Sequence, residues 1–195
     1  MLDLQDFAMP EPPLLLDTDI VSLMGRRRSP PGLRTWLLRV GIHRLNISYP
    51  VITELMRGAH LRQRDDPEKA ARIMAWVNDI LSTDFPIPPM SPEVAYIYAQ
   101  MTSVPCLRPL WTVQRGEKAT RMGHDLMIAA VAIAHGLPIL TGNIRDYVKI
   151  HQFFPLPGVY QPMESRWHVP PETEFFLPRL DEMEGCRDNE LLPML

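Results

Sequence analysis

Short apolar strands alternate with helices along this chain, and this alternation limits the folds open to it more than any other feature. The strand-like segments are 14–16, 44–50 and 138–141, and the segments with helical periodicity are 51–61, 67–82, 91–101 and the apolar stretch that ends at Gly136. Strands joined by helices predict an α/β sandwich with a mostly parallel sheet. In such sheets ligands bind at the carboxyl ends of the strands, so we expect a functional site there.

Length and composition predict one globular domain followed by an acidic tail. The chain has 195 residues, of which 46% are hydrophobic and 22% are charged, which is enough for one full core. The net charge is −3, but residues 161–195 alone carry 8 acids against 3 Lys and Arg residues. We therefore predict an N-terminal extension over 1–12, a domain over 13–160 and an acidic, proline-rich arm over 161–195.

The same composition disfavours several classes of protein. No apolar run approaches the roughly 20 residues that a membrane helix needs, and the first residues are acidic, so we expect a cytoplasmic protein without a signal peptide. The separated Cys106 and Cys186 predict neither a disulfide framework nor a zinc site. Because the body of the chain is nearly neutral, a nucleic-acid substrate would have to be recognised at a local site.

Acidic side chains gather at or near the predicted strand ends. These acids and one amide are Asp17, Asp19, Glu54, Asp125, Asn143 and Asp146. Several carboxylates in a partly buried cleft repel one another unless a cation neutralises them. The set of oxygen donors predicts Mg²⁺ or Mn²⁺, and such an ion suits the hydrolysis of a phosphodiester bond.

Three blocks of the sequence, taken in order, resemble the signature blocks of PIN-domain ribonucleases, and especially of VapC-type toxins of bacterial toxin–antitoxin pairs. They read LLLDTDIVS from Leu14, ISYPVITELMRGA from Ile47 and GHDLMIAAVAIAHGLPILTGNIRDYVKI from Gly123. The resemblance covers about residues 13–160. It implies a PIN-like three-layer sandwich, Mg²⁺-dependent endonucleolytic cleavage of RNA, a cognate antitoxin protein and a homodimer.

The resemblance also implies which residues carry out catalysis. Asp17, Glu54 and Asp125 match the acids of the family. The fourth acidic position of the family falls within the segment TGNIRDY, where Asn143 aligns with it and Asp146 follows one helical turn later. The predicted catalytic residues are therefore Asp17, Glu54, Asp125 and Asp146.

The metal and substrate ligands follow from the same blocks. The predicted metal ligands are Asp17, Asp19, Asp125, Asn143 and Asp146. Asp19 joins this set because the first block reads DTD, whereas DTN is commoner in the family. Thr18, Thr141, Arg57 and Arg121 are predicted to bind substrate, and the two threonines have the alternative role of bracing the strand ends.

Four of these acids also have a purely structural interpretation, and two other functions stay open. Asp17, Asp19 and Asp125 can each cap the following helix, and an acid such as Glu54 is favoured in a solvated first turn. Haloacid-dehalogenase-type phosphatases also begin with an apolar strand and a DxD pattern, in which the first Asp is the nucleophile and the second a general acid. That class leaves Glu54 without a role. The remaining alternative is a non-catalytic PIN-fold module that binds a partner.

The acidic arm contains apolar residues that are unfavourable in water. They are Trp167, Phe175, Phe176 and Leu177. Each contributes about 1.5–3 kcal/mol if it docks on the domain. We therefore predict an extended arm held by these residues with its acids solvated; the alternative is that the acids shield basic RNA-binding residues.

Overall fold

A five-stranded sheet forms the centre of the molecule, with the strand order β2-β1-β3-β4-β5. The computed structural model describes residues 11–26, 29–112 and 123–183. The strands are β1 Leu14–Leu16, β2 Leu45–Ile47, β3 Ile139–Leu140, β4 Val159–Gln161 and β5 Arg166–Val169. Strands β1 to β4 pair in parallel and β5 is antiparallel to β4. The predicted mostly parallel sheet is confirmed.

Helices flank this sheet and complete the α/β sandwich. They are α1 Thr18–Gly25, α2 Leu33–Val40, α3 Tyr49–Arg62, α4 Pro67–Leu81, α5 Pro92–Ser103, α6 Asp125–His135 and α7 Ile144–His151. Short 3-10 helices lie at Ile42–Arg44, Pro105–Leu110, Pro162–Glu164 and Asp181–Met183. Among the helices of the described ranges, none has both the length and the apolar character needed to cross a bilayer.

Local signals in the sequence set several helix ends. The Ser91 hydroxyl accepts a hydrogen bond from the Val94 N–H at the start of α5, as its position before a proline predicts. Helix α6 ends at Gly136, which has φ of 64°, a backbone conformation that suits glycine. Before α6, Pro105–Leu110 forms a 3-10 helix, and residues 113–122 lie outside the described part of the chain.

The strand order places a crevice at the carboxyl ends of β1 and β3. From β1 the chain moves to β2 on one side of the sheet and later returns to β3 on the other side. Such a reversal of strand order is where open α/β sheets bind ligands. The Asp17 N–H donates to the Leu140 carbonyl oxygen (3.0 Å) and holds the two strand ends together. Asp17 and Thr141, which follow β1 and β3 directly, therefore lie next to each other.

The predicted arm begins with a strand that extends the sheet. In β5, the Trp167 ring packs edge-on against Tyr160 and Phe175, with centroid distances of 4.9 and 5.5 Å. Phe175 and Leu177 pack on the core, but Phe176 is 78% exposed, so its predicted anchoring role is wrong. The division of the chain at residues 12 and 160 stays a prediction.

Two further contacts of the arm were not predicted. Met183 is fully buried, and its backbone and side chain approach Gly32 at the start of α2 so closely that a Cβ on Gly32 would lie 2.9 Å from the Met183 Cβ. The Trp36 Nε1–H donates to the Pro178 carbonyl oxygen (2.7 Å). The arm therefore covers α2 as well as β4.

We expect a chain that ends at Pro170 to fold with reduced stability. This truncation keeps β5 but removes buried apolar residues, including Met183, and leaves the Trp36 indole N–H without its acceptor. A loss of a few kcal/mol lowers the melting temperature of a domain of this size by roughly 10 °C. Thermal unfolding followed by circular dichroism measures the shift, with a chain ending at Met183 as the control. An unchanged melting temperature for the shorter chain would contradict the docked arm.

Candidate active site

Asp17 lies at the bottom of the crevice, where the position of β1 fixes its side chain. The residue caps α1, because its Oδ1 accepts a hydrogen bond from the Thr18 N–H (2.6 Å). Its Oδ2 accepts from the Thr141 hydroxyl (2.7 Å), at the end of β3. The side chain is buried, with 3% of its surface exposed. Asp17 therefore caps α1, as its structural interpretation predicts, and it also lies in the site, as its functional interpretation predicts.

A chain of hydrogen bonds leads from Thr141 to two further acids. The Thr141 hydroxyl accepts from the Asn143 N–H (2.9 Å), which fixes the backbone before α7. The Asn143 Nδ2 then donates to Asp125 Oδ2 (3.2 Å) and to Asp146 Oδ2 (2.9 Å). The amide therefore lies between two carboxylates, one from α6 and one from α7, and brings them to the same place.

Asp19 differs from the other acids because both of its oxygens are bound by the backbone. Its Oδ1 accepts from the Ile20 N–H (2.7 Å) and its Oδ2 from the Gly142 N–H (2.7 Å). A Cβ on Gly142 would lie only 2.7 Å from Asp19 Oδ2, so the loop after β3 needs glycine for this contact. Asp19 therefore connects α1 to the loop after β3 through hydrogen bonds. Its role as a metal ligand stays a prediction.

Glu54 stands at the open side of the site. Its Oε2 accepts a hydrogen bond from the Thr18 hydroxyl (2.8 Å) and lies 3.7 Å from His124 Nδ1. Its side chain is 38% exposed, in contrast to buried Asp17. Glu54 is therefore accessible to a large substrate, whereas Asp17 is not.

The electrostatics of the cluster favour protonation of its inner acids. Burial raises the pKa of Asp17 well above its usual value, and the charges of Asp19 and Asp125 raise it further. Burial also raises the pKa of Asp19, against the hydrogen bonds from Gly142 and Ile20. Burial, followed by the charges of Asp146, Glu54 and Asp19, raises the pKa of Asp125 to about 7. The acids therefore repel one another strongly when ionised.

The donors suit a hard divalent cation in their chemistry, although their present orientations do not surround one point. Carboxylate oxygens that repel one another in a buried cleft are the ligands that Mg²⁺ and Mn²⁺ prefer. Among the described residues, no three Asp, Glu, His or Cys side chains are grouped as a ready metal site. The Asn143 Nδ2 occupies the space between Asp125 and Asp146. Rotation of this amide would turn its oxygen, instead of its N–H₂ group, toward that space.

The structure brings most of the predicted site residues together. Asp17, Thr18, Asp19, Glu54, Asp125, Thr141, Asn143 and Asp146 are linked by the hydrogen bonds and charge interactions described above. Arg57 lies on α3 one turn beyond Glu54 and is partly buried, and its predicted contact with substrate stays a prediction. Arg121 lies outside the described residues.

Sequence reasoning missed Tyr147, which lies beneath the cluster. Tyr147 is fully buried, and its hydroxyl makes no hydrogen bond of ordinary length within the described part of the chain. Burial, followed by the charges of Asp17, Asp125 and Asp19, raises its pKa well above the usual value. The sequence contains one signal for the burial of Tyr147: it lies three residues before the apolar Ile150 and so shares the buried face of α7.

We expect Asp146→Ala to weaken metal binding more than Asn143→Ala does. Asp146 brings a negative charge to the site, whereas Asn143 brings a neutral amide. Calorimetric titration with Mn²⁺ of the two variants and the unchanged protein measures the difference. The reverse order of affinities would mean that Asn143 supplies the ligand and that Asp146 only orients it.

Comparisons with known proteins confirm the resemblance that the sequence blocks indicated. The chain is 29% identical over 137 residues to the Ribonuclease VapC of Rickettsia bellii and 28% identical over 137 residues to the Ribonuclease VapC1 of Rickettsia felis. In both cases the match spans 70% of this chain and 90% of the relative. No family model matches the chain.

Solved structures with a similar fold are toxin–antitoxin complexes. One is VapBC2 from Rickettsia felis bound to a DNA fragment from its promoter, with a TM-score of 0.51 and 20% identity, covering 70% of this chain and 91% of that one. Another is DNA-bound VapBC from Salmonella typhimurium, with a TM-score of 0.50 and 22% identity at the same coverage. These likenesses confirm the predicted PIN-like sandwich as the fold.

Proposed function

We propose that this chain, a relative of VapC ribonucleases, is a metal-dependent endoribonuclease and the toxin of a toxin–antitoxin pair. The observation that carries the proposal is the convergence of Asp17, Asp125 and Asp146 at the carboxyl ends of β1 and β3, with the pKa of Asp125 raised to about 7 by burial and by its acidic neighbours. A cluster that disfavours its own ionisation is expected to bind a cation. The sequence relatives, both of which are ribonucleases by name, support RNA as the substrate.

The residues of the chain divide the work of such a reaction. Asp17, Asp125 and Asp146 would hold Mg²⁺ or Mn²⁺, with Asn143 as a further oxygen ligand. When bound, the ion supplies a more acidic water and stabilises negative charge on the phosphate. Thr141 fixes the orientation of Asp17 through its hydroxyl. Together these groups would hold the metal ion and the scissile phosphate in a fixed position relative to each other.

Glu54 has the position for moving a proton. Its side chain is 38% exposed, and the Thr18 hydroxyl holds one of its oxygens. Within the described residues no hydrogen bond engages the other oxygen, which can orient an attacking water or accept its proton. His124 Nδ1, at 3.7 Å, lies close enough to influence that step through its charge when protonated.

The phosphatase alternative is less well supported by the same contacts. In that mechanism the second acid of the DxD pattern, here Asp19, would donate a proton to the leaving group. Both oxygens of Asp19 instead accept hydrogen bonds from backbone N–H groups, of Ile20 and Gly142, which hold the carboxyl group between α1 and the loop after β3. The phosphatase mechanism also leaves Glu54 and Asp125 without a role. These contacts favour the nuclease.

The proposed partner is a cognate antitoxin, because the solved structures of similar fold contain VapB and VapC together. We also propose a homodimer, as the family resemblance implies. Co-expression with the product of a neighbouring gene, followed by purification and light scattering, tests both proposals. Recovery of the chain alone as a monomer would contradict both.

One incubation distinguishes the functions. The purified chain is incubated with end-labelled single-stranded RNA and, separately, with p-nitrophenyl phosphate, with Mg²⁺ or with EDTA. We expect internal cleavage of the RNA in Mg²⁺, none in EDTA, and no release of p-nitrophenol. Ester hydrolysis without RNA cleavage would support the phosphatase, and inactivity toward both substrates would support the non-catalytic module.

A further inference from the structure

A basic groove runs away from the candidate active site between α1, α3 and α4. It has a volume of about 930 Å³, and Thr18 and Glu54 form its end at the site. Its rim carries four cationic side chains, Arg26, Arg62, Lys69 and Arg72. We call this feature the α3–α4 groove. Glu54, at the site end, is the single acid among its lining residues in the described part of the chain.

The cations extend from the site along the two helices. On α3, Glu54, Gly58 and Arg62 follow each other at intervals of four residues and so share one face. At 1.5 Å per residue, Arg62 lies about 12 Å along the helix from Glu54. Lys69 and Arg72 are three residues apart at the start of α4, and both are exposed. The positive charge therefore reaches further than the spacing of neighbouring phosphates on a strand.

Gly58 gives a second, independent indication that the groove binds a ligand. A glycine inside a helix costs stability relative to alanine, because it has more conformational freedom in the unfolded chain. Nothing lies within 4 Å of the place where a Cβ would stand on Gly58, so packing does not require its absence. The missing side chain instead leaves the groove floor open between Glu54 and Arg62.

We propose that the α3–α4 groove binds the phosphate backbone of the RNA strand on one side of the scissile bond. This inference rests on the proposed nuclease function. A strand whose scissile phosphate lies at Asp17 and Asp125 continues past the site, so the surface beside Thr18 and Glu54 meets its next phosphates. The four cations, of which Arg72 also lies 3.9 Å from the exposed Glu68, attract these phosphates, whereas the acid cluster alone would repel them. The apolar floor, with Leu55 and Ile73, accommodates sugars and base faces.

The test compares two charge reversals of equal size. Lys69→Glu/Arg72→Glu reverses two groove cations, and Glu at position 69 also suits the first turn of α4, which Asp66 caps. Arg39→Glu/Arg166→Glu reverses two exposed cations outside the groove lining. Both pairs are made in the non-cleaving Asp125→Asn background. Fluorescence anisotropy then measures the affinity for a labelled single-stranded RNA at several salt concentrations.

We expect the groove variant to bind the RNA at least tenfold more weakly than the control variant. Losing two phosphate contacts lowers the slope of log affinity against log salt by about 1.4, because each contact on a single strand contributes about 0.7. With Asp125 intact, KM for RNA rises by a similar factor while kcat changes little. Equal affinities and salt slopes for the two variants would overturn the inference.

Gly58→Met separates binding from folding. We expect this variant to have a melting temperature at least as high as that of the unchanged chain and to bind RNA more weakly. Unchanged RNA binding would count against the groove.

An acidic partner protein would give a different pattern, in which the groove variant loses binding of an oligoglutamate peptide but keeps its RNA affinity. If the unchanged chain cleaves no RNA at all, the proposed function fails, whereas unequal RNA binding by the two variants still supports the groove.

Discussion

Replacing Asp125 by Asn is expected to abolish metal-dependent RNA cleavage and to leave the fold at least as stable without metal. The substitution removes one charge from a cluster whose acids raise the pKa of Asp125 to about 7. Loss of one charge-stabilising group lowers turnover by about 10²–10³-fold or more. Stability does not fall, because the repulsion with Asp146 and Glu54 is relieved. Asp17→Asn has the same expected effect on cleavage, and its amide retains an oxygen to cap α1.

Cleavage of labelled RNA in Mg²⁺ and thermal unfolding in EDTA measure the two parts of this prediction. The matched control is Asp79→Asn, which makes the same chemical change at an exposed position of α4 outside the cluster. The control is expected to cleave at the normal rate. Normal cleavage by either site variant would refute the assignment of the site. A strong loss of stability in EDTA would refute the proposed repulsion between Asp125 and the neighbouring acids.

The metal-free protein is expected to lose stability as the pH rises from about 4 to 7. The pKa of Asp125 is about 7 in the folded chain against an ordinary value of 3.8, so the folded state binds more protons across this interval. Stability then falls with rising pH. Asp17 and Asp19, whose pKa values are also raised, change stability in the same direction. The loss is on the order of a few kcal/mol, or about 5–10 °C in melting temperature.

Mg²⁺ is expected to reverse this loss, because a cation binds the ionised carboxylates of the folded state. Melting curves in EDTA and in Mg²⁺ at pH 5 and pH 7 measure the effect, which should be large at pH 7 and small at pH 5. The Asp125→Asn variant serves as the control, since it lacks one of the groups responsible. A melting temperature in EDTA that increases between pH 5 and pH 7 would contradict the prediction.

The position of the acids could be predicted from sequence because it depends on strand ends. The run Leu14–Leu16 is wholly apolar and buried, so the residue that follows it has to lie at the sheet edge. Likewise, Thr141 follows β3 and comes next to Asp17 through parallel pairing. Proline and capping residues marked the starts of α4 and α5, at Pro67 and Pro92.

Features that depend on contacts between distant residues could not be predicted in this way. Helix α2 begins after Gly32 without a side-chain cap, so no local signal marks its start. Its buried Arg34 donates to the carbonyl oxygens of Met24 (2.9 Å) and Arg26 (2.7 Å) and so satisfies the end of α1. The bridge from Asn143 to two acids likewise requires α6 and α7 to be in place. Strand β5 lies in the segment predicted as an extended arm, and its antiparallel pairing with β4 depends on the folded domain and not on a local signal.

The two edges of the central sheet are short or partly covered. At one edge, the Ile47 N–H of β2 donates to the Pro86 carbonyl oxygen (3.0 Å), so a loop of the same chain already occupies that side. At the other edge, β5 covers β4 and is followed at once by Pro170 and Pro171, which have no N–H to donate.

The short or partly covered edges bear on how copies of the chain can associate. An open edge strand pairs with the same strand of another molecule, which leads to continuous sheets and aggregation. Here one edge is partly covered by the loop at Pro86, and the other edge is β5, only four residues long and ended by Pro170 and Pro171. Such edges disfavour continuous sheets, so association between copies is favoured at helix faces and through side-chain packing, which can form closed assemblies of defined size.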